Sequence, residues 1–189
     1  MRYFYDCEFI EDGATIDLIS IGIVAEDGRE LYMQSVEFDP DKASPWVQAH
    51  VLSSLLVCPR LSGNVRGLYA HEEGQCTFAE PTKGTTGAYA DCPWRTREQI
   101  KREILHFMDT GTYGEPELWG YYSAYDHVAF CQLFGTMMDL PKGYPMLTYD
   151  LRQWLDMNGM KDIRQPDDSV HNSLEDARWV AETYKRLVR

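Results

Sequence analysis

Apolar and polar positions along this chain change their period several times, and each change marks a predicted element. Residues 2–10, Arg-Tyr-Phe-Tyr-Asp-Cys-Glu-Phe-Ile, form an aromatic, β-favouring run that predicts a first strand. Residues 17–25, Asp-Leu-Ile-Ser-Ile-Gly-Ile-Val-Ala, predict a second, and Asp27-Gly28 supplies a hairpin turn into a third over 29–36. The three make an antiparallel meander. Ser44-Pro45 then opens a helix expected to run through Leu56, with proline at its first position and Trp46, Val47, Val51, Leu52, Leu55 and Leu56 as its apolar members. Over about 59–95 the periodicity dissolves into glycine, proline and threonine. That stretch is too long for an ordinary connection and reads as a loop-rich insert with little regular structure.

Periodicity returns with Thr96-Arg-Glu-Gln99, a capping-box pattern, followed by Ile100, Ile104, Phe107 and Met108 at helical spacing up to Gly111. A short strand is predicted over 118–122. A helix is predicted over 126–138, with Val128, Ala129, Leu133, Phe134 and Met137 on one face. An edge strand at 145–149, a short helix at 150–157 and a final helix over 173–187 complete the chain, the last burying Ala177, Val180, Ala181 and Tyr184. Strands and helices in this order predict an α/β fold, a mixed β-sheet flanked by α-helices, in a single domain spanning 1–189.

Composition narrows the function classes. Of 189 residues, 44% are hydrophobic and 13% aromatic, enough for one sizeable core. Acidic residues outnumber basic ones 30 to 18, for a formal net charge of −12. A protein that coats duplexes needs a basic face, because phosphate neutralisation supplies most of that affinity, so the balance argues against that class. It leaves room for an enzyme that holds a few nucleotides through metal ions. No apolar run approaches about 18 residues and the N-terminus lacks a charged-then-apolar secretory pattern, so no membrane association and a cytoplasmic location are expected. Five cysteines without a C-x-x-C pair predict reduced thiols in preference to a zinc site.

Candidate chemistry begins in the first strand. Asp6 and Glu8 are two positions apart, so a pleated strand points both carboxylates to one face. In so apolar a run, two like charges side by side need a cation or shared protons. Asp126 falls where the 118–122 strand gives way to a helix, at a strand's C-terminal end, where α/β folds build sites; capping the helix is the alternative. His171 lies in the loop before the last helix and Asp176 in that helix's first turns. A loop histidine and a dipole-favoured acid are the alternatives there.

Taken together, Asp6-x-Glu8, Asp126 preceded by Tyr125, and His171-x-x-x-x-Asp176 resemble the DEDDh branch of the DnaQ-like 3′-5′ exonucleases, whose members have an RNase H-like fold and include RNase T and oligoribonuclease. The resemblance covers the chain from residue 3 to about 185, the insert excepted. More narrowly, the Tyr-Asp-Cys-Glu-Phe start and the insert resemble the actinobacterial polyadenylate-specific exoribonucleases of the RNase AS type. Two positions depart from the wider family. Phe9 stands where threonine is common, and Tyr121-Tyr122 where His-Asn is common. Neither change removes a ligand, but both alter the walls around a terminal nucleotide.

The resemblance implies that Asp6, Glu8, Asp126 and Asp176 hold two Mg²⁺ or Mn²⁺ ions, with His171 as the general base. It implies release of nucleoside 5′-monophosphates from single-stranded RNA 3′ ends, a preference for poly(A), and a homodimer. The insert, with Arg60, Arg66 and Lys83, is a candidate for the dimer interface or the RNA path. Phe9, Tyr122 and Trp46 are candidates for stacking on bases, with core packing as the alternative, and core packing is favoured for Tyr121 and Tyr125. Two other functions are weighed: a DNA proofreading-type exonuclease, and an inactive RNA- or nucleotide-binding module. The complete set of acids plus histidine speaks against the second.

Overall fold

The computed structural model describes residues 1–56, 92–160, 163, 165 and 171–188. Strands β1 (Arg2–Glu11), β2 (Ile16–Ala25) and β3 (Glu30–Ser35) form the expected antiparallel meander. Gly28 makes the turn between β2 and β3 at φ 92°, a conformation that suits a residue without Cβ. Helix α1 (Pro45–His50) follows, with Ser44 Oγ accepting from the Val47 N–H. Strand β4 (Trp94–Arg95) leads into α2 (Arg97–Phe107) through the predicted capping box, in which Thr96 and Gln99 satisfy each other's backbone N–H. The short helix α3 (Thr110–Tyr113), β5 (Glu117–Gly120) and α4 (Ala124–Gln132) come next. Strand β6 (Tyr149–Asp150), α5 (Leu151–Met157) and α6 (Ser173–Leu187) close the fold.

The six strands make one mixed sheet in the order β4-β3-β2-β1-β5-β6, with β5 parallel to β1 and β6 parallel to β5. The first strand is therefore central, and the α/β expectation holds. Tyr3, Tyr5 and Cys7 point to one face, where they pack with Ile21, Ile104 and Phe130 beneath α2 and α4. Phe4 points to the other, with Val24, Leu174, Ala177 and Val180 of the α6 layer. Among the described residues, no helix is long and apolar enough to cross a membrane.

Several sequence expectations need correction. The helix expected through Leu56 ends at His50, and a 3₁₀ turn (Leu52–Ser54) replaces its second half. Val51, Leu52 and Leu55 are buried, whereas Trp46 and Leu56 lie half exposed, so the apolar set is split between core and surface. The helix expected to Met138 ends at Gln132, and Val128 and Met137 are exposed; the buried face is Asp126, Ala129, Phe130 and Cys131. Phe130 wins the core position because it can pack against Tyr5. The strand expected at 145–149 is reduced to the two residues of β6. The insert expected at about 59–95 lies outside the described residues up to residue 91, with Arg60, Arg66 and Lys83. Its last two residues, Trp94 and Arg95, form β4. Trp94 is fully buried, stacks on Phe38 at 6.4 Å and donates its indole N–H to the Leu56 carbonyl at 3.0 Å. Cys7 and Cys131 are free, buried thiols, as expected; Cys92 is buried too, and Cys58 and Cys76 fall outside the described residues.

Candidate active site

Asp6 and Glu8 stand opposite Gly22 and Ser20 of β2, on the face of β1 that α6 covers. What brings α6 so close is the missing side chain at Gly22. A Cβ there would lie 2.3 Å from the Ser173 carbonyl oxygen and 2.4 Å from the Leu174 backbone. The buried hydroxyls of Ser20 and Ser173, 3.0 Å apart, pin the same contact. Asn172 caps α6, its side chain accepting from the Leu174 and Glu175 N–H groups. Asp176, four residues on, is thereby held over the β1 acids. Carboxylate oxygens of Asp6, Glu8 and Asp176 all lie within 4.8 Å of one another.

Asp126 arrives by a different route. β5 pairs with β1 only as far as Phe4 opposite Trp119, and then ends at Gly120. Beyond that point this edge of β1 has no strand partner among the described residues, and the Cys7 N–H donates instead to Asp126 Oδ1 at 2.9 Å. Asp126 is buried and does not cap its helix, whose N-cap residue is Ser123. The capping alternative is thus overturned: an unpaired strand N–H claims the carboxylate.

Burial is the largest cause raising the pKa of all four acids. Asp6 and Glu8 are held well above the usual carboxylate range, and their neighbouring carboxylates push the same way. Asp126 is raised to about 7, with the Cys7 N–H hydrogen bond opposing the rise. Asp176 is raised to about 6, opposed by hydrogen bonds from the Gln165 side chain and the His171 N–H. A cation in the cluster would offset both causes by stabilising the ionised carboxylates. The donors are all carboxylate oxygens, a set suited to hard divalent ions such as Mg²⁺ or Mn²⁺.

His171 is tied to the same acids through its backbone, whose N–H donates to Asp176 Oδ2 at 3.1 Å. Its ring sits edge-on to Trp46 at 4.6 Å and to His50 at 6.1 Å. Burial, and then the proximity of His50, lowers its pKa, which favours neutral imidazole with a free lone pair. Among the described residues only His171 (φ 69°) and Tyr122 (φ 57°) adopt positive φ without being glycine. Each such conformation costs about 1–3 kcal/mol, and each precedes an acid of the cluster in sequence, Tyr122 before Asp126 and His171 before Asp176.

The stacking candidates are spread around this centre. Trp46 is 50% exposed and stacks on His50 at 4.8 Å, so it lines the histidine and keeps an open face. Tyr122 is 65% exposed and packs edge-on to Tyr121 at 5.0 Å. Phe9 follows a bulge in the β1–β2 pairing after Glu8. It lies half-buried against the α2–α4 core and edge-on to Tyr125 at 6.0 Å. Tyr125, expected in the core, is 51% exposed.

Sequence reasoning missed three participants. Asp150 accepts from the Arg152 and Gln153 N–H groups at the start of α5 and, through Oδ2, from the Ser123 N–H at 2.9 Å, which fixes the turn that presents Asp126. An aspartate before a helical run signals a cap, but its second role has no sequence signature. Gln165, which donates to Asp176, sits in a polar loop without periodicity. His50 was legible only as a polar position on α1.

Against known proteins, residues 1–188 match the family described as the 3′-5′ exoribonuclease Rv2179c-like domain. Two curated relatives from Mycobacterium tuberculosis are each 44% identical over 179 residues, covering 94% of this chain and 88% of the relative. One is 3′-5′ exoribonuclease Rv2179c of strain ATCC 25618 / H37Rv, the other 3′-5′ exoribonuclease MT2234.1 of strain CDC 1551 / Oshkosh. Because the match runs through every element that carries an acid of the cluster, the chain belongs to the Rv2179c-like 3′-5′ exoribonuclease domain family.

Proposed function

We propose that this protein is a divalent-metal-dependent 3′-5′ exoribonuclease of the DEDDh type, with an RNase H-like sheet. It would release nucleoside 5′-monophosphates from single-stranded RNA and prefer adenylate 3′ ends. The observation that carries the reading is the convergence of Asp6, Glu8 and Asp176 within 4.8 Å on one face of the central strand. Membership of an exoribonuclease family supports the same chemistry.

In this mechanism Asp6, Glu8, Asp126 and Asp176 would hold the metal ions, two per site. When bound, Mg²⁺ or Mn²⁺ supplies the positive charge that phosphodiester hydrolysis needs at the phosphoryl oxygens. Without a cation the four acids offer a phosphate no positive partner, and any of them that ionises repels it. His171 takes a proton from the attacking water as the new phosphorus–oxygen bond forms, and the bond to the 3′-oxygen of the penultimate nucleotide breaks. Its lowered pKa keeps the imidazole neutral and able to accept that proton at neutral pH. Trp46, Tyr122 and Phe9 are assigned to the walls around the terminal base, each stack contributing about 1–3 kcal/mol. The poly(A) preference and a homodimeric assembly are carried by the resemblance of the motifs.

The test is a 3′-end digestion panel of A, C, G and U homopolymers and their DNA counterparts, with Mg²⁺ or Mn²⁺ and an Asp6→Ala control. Stepwise release of AMP, fastest from the A polymer and absent in the control, is expected. Preferential digestion of DNA would replace the reading with a proofreading-type exonuclease, and metal-independent release would overturn the mechanism. Sedimentation of the full chain tests the dimer.

A further inference from the structure

We propose that Ser54 is a positioning residue that sets where the imidazole of His171 sits relative to the acid cluster. The inference rests on the proposed role of His171 as general base.

His171 holds a left-handed backbone at φ 69° immediately before the turn into α6. A β-carbon disfavours that conformation, so something outside the residue must hold it. Two hydrogen bonds do so, one on each side of the residue. The N–H donates to Asp176 Oδ2 at 3.1 Å, and the carbonyl accepts from Ser54 Oγ at 2.9 Å. The first is made by a member of the acid cluster. The second comes from the 3₁₀ turn (Leu52–Ser54), 117 residues earlier in the chain.

That turn directly follows α1, which also supplies Trp46 and His50 to the ring. One short segment therefore fixes the backbone of His171 through Ser54 and walls its ring through Trp46. Ser54 Oγ also lies 2.7 Å from the Val51 carbonyl, so its single proton is shared between the two carbonyl acceptors. Ser54 is half-buried and, among the described contacts, touches no acid of the cluster. Its loss should leave the metal ligands in place and move only the base. A displaced base loses rate steeply, since reaction geometry tolerates little error.

The experiment uses the full chain as Ser54→Ala, Ser54→Thr, His171→Ala and the Ser54→Ala/His171→Ala double variant, assayed on single-stranded oligoadenylate with Mn²⁺. Ser54→Ala should lower kcat about tenfold, with KM within about twofold of wild type. Mn²⁺ affinity by calorimetry should be unchanged, and Ser54→Thr, which keeps the hydroxyl, should restore most of the rate. The double variant should be no slower than His171→Ala, because Ser54 acts only through that residue.

Wild-type kcat in Ser54→Ala together with a slow His171→Ala overturns the positioning role and leaves the base in place. Wild-type turnover in His171→Ala overturns the base itself. Parallel loss of kcat, KM and Mn²⁺ affinity, or failure of Ser54→Thr to rescue, marks Ser54 as merely structural. If Ser54→Ala does not fold, Ser54→Cys keeps the side-chain volume with a weaker donor and is held to the same expectations.

Discussion

Tyr3, Tyr5 and Cys7 on one face of β1 are buried among aliphatic and aromatic side chains. Phe4, Asp6 and Glu8 on the other begin apolar and turn acidic under α6. On the first face every neighbour gains by closing the gap, since burial of apolar surface drives packing. On the second, closing the gap raises the cost of charge on four carboxylates. Helix α6 is therefore not drawn to the acids. It is held over them by contacts made elsewhere, at Gly22, Ser20 and the Leu174–Val180 stripe.

The largest test sets one residue of each face against the other. Asp6→Asn should lower kcat by more than about 10²-fold, because a ligand oxygen of full charge is lost. In metal-free protein the same change should raise the melting temperature, since it removes one member of a repelling set. Tyr5→Ala should do the reverse in stability, costing about 3–5 kcal/mol as a fully buried ring is deleted. Nuclease assays and thermal unfolding with and without Mn²⁺ read both. A metal-free Asp6→Asn less stable than wild type would break the contrast between the faces.

Next comes the contact that joins them. Gly22→Ala places a Cβ against the Ser173 and Leu174 backbone, which cannot rotate away as a side chain would. We expect destabilisation of about 1–3 kcal/mol or more, and a loss of activity out of proportion to it as Asp176 is lifted from Asp6 and Glu8. Urea unfolding and Mn²⁺ titration of the variant separate the two effects. Unchanged metal affinity would show that α6 can move without carrying the site.

This contact also marks where the sequence stopped being legible. Asp6 and Glu8 could be placed on one face from strand period alone, and Thr96-x-x-Gln99 announced its helix start, because both signals are local. Gly22 looked like a small residue in a β-branched run; its reason is the start of α6, at Ser173 and Leu174. Asp126 carried an ambiguous signal for the same reason, since its true partner is the Cys7 N–H left unpaired where β5 stops. Around α4 the period placed Ala129, Leu133 and Phe134 correctly against the core and misled at Val128 and Met137, because it finds an apolar face without fixing its edges. Trp94 was lost in a stretch whose composition reads as loop, although a single indole is enough to seat an edge strand.

A pH experiment sharpens the electrostatic half of the comparison. Asp126 is raised to about 7 and Asp176 to about 6, so the folded state binds protons more tightly than the unfolded chain. The resulting penalty is absent below the unfolded carboxylate value near 4, grows as pH rises from there toward the folded values, and for these two acids is complete above about 7, with Asp6 and Glu8 adding to it as they ionise. Metal-free protein should therefore lose on the order of 5 °C or more in melting temperature between about pH 5 and pH 8. Mn²⁺ should restore more stability at the upper pH than at the lower. In Tyr5→Ala the slope should persist, and in Asp6→Asn it should flatten. A melting temperature that rises over this range would contradict the burial of uncompensated acids.

The smallest effect compares two helix caps, one on each face. Thr96 begins α2, which covers the apolar side, and Asn172 begins α6, which covers the acidic side. Each satisfies orphan backbone N–H groups, so Thr96→Ala and Asn172→Ala should each cost about 1 kcal/mol. Stability alone cannot tell them apart. Activity can, because Asn172 lies between His171 and the turn that carries Asp176, and fraying there changes the angle at which both reach the acids. We expect Asn172→Ala to lose rate several-fold at saturating RNA, and Thr96→Ala to match wild type once both are assayed well below their melting temperatures. Equal loss in both would mean that the rate follows global stability. Equal retention would mean that Asp176 is held by Gly22, Ser20 and Ser173 alone, and that the cap serves only the helix.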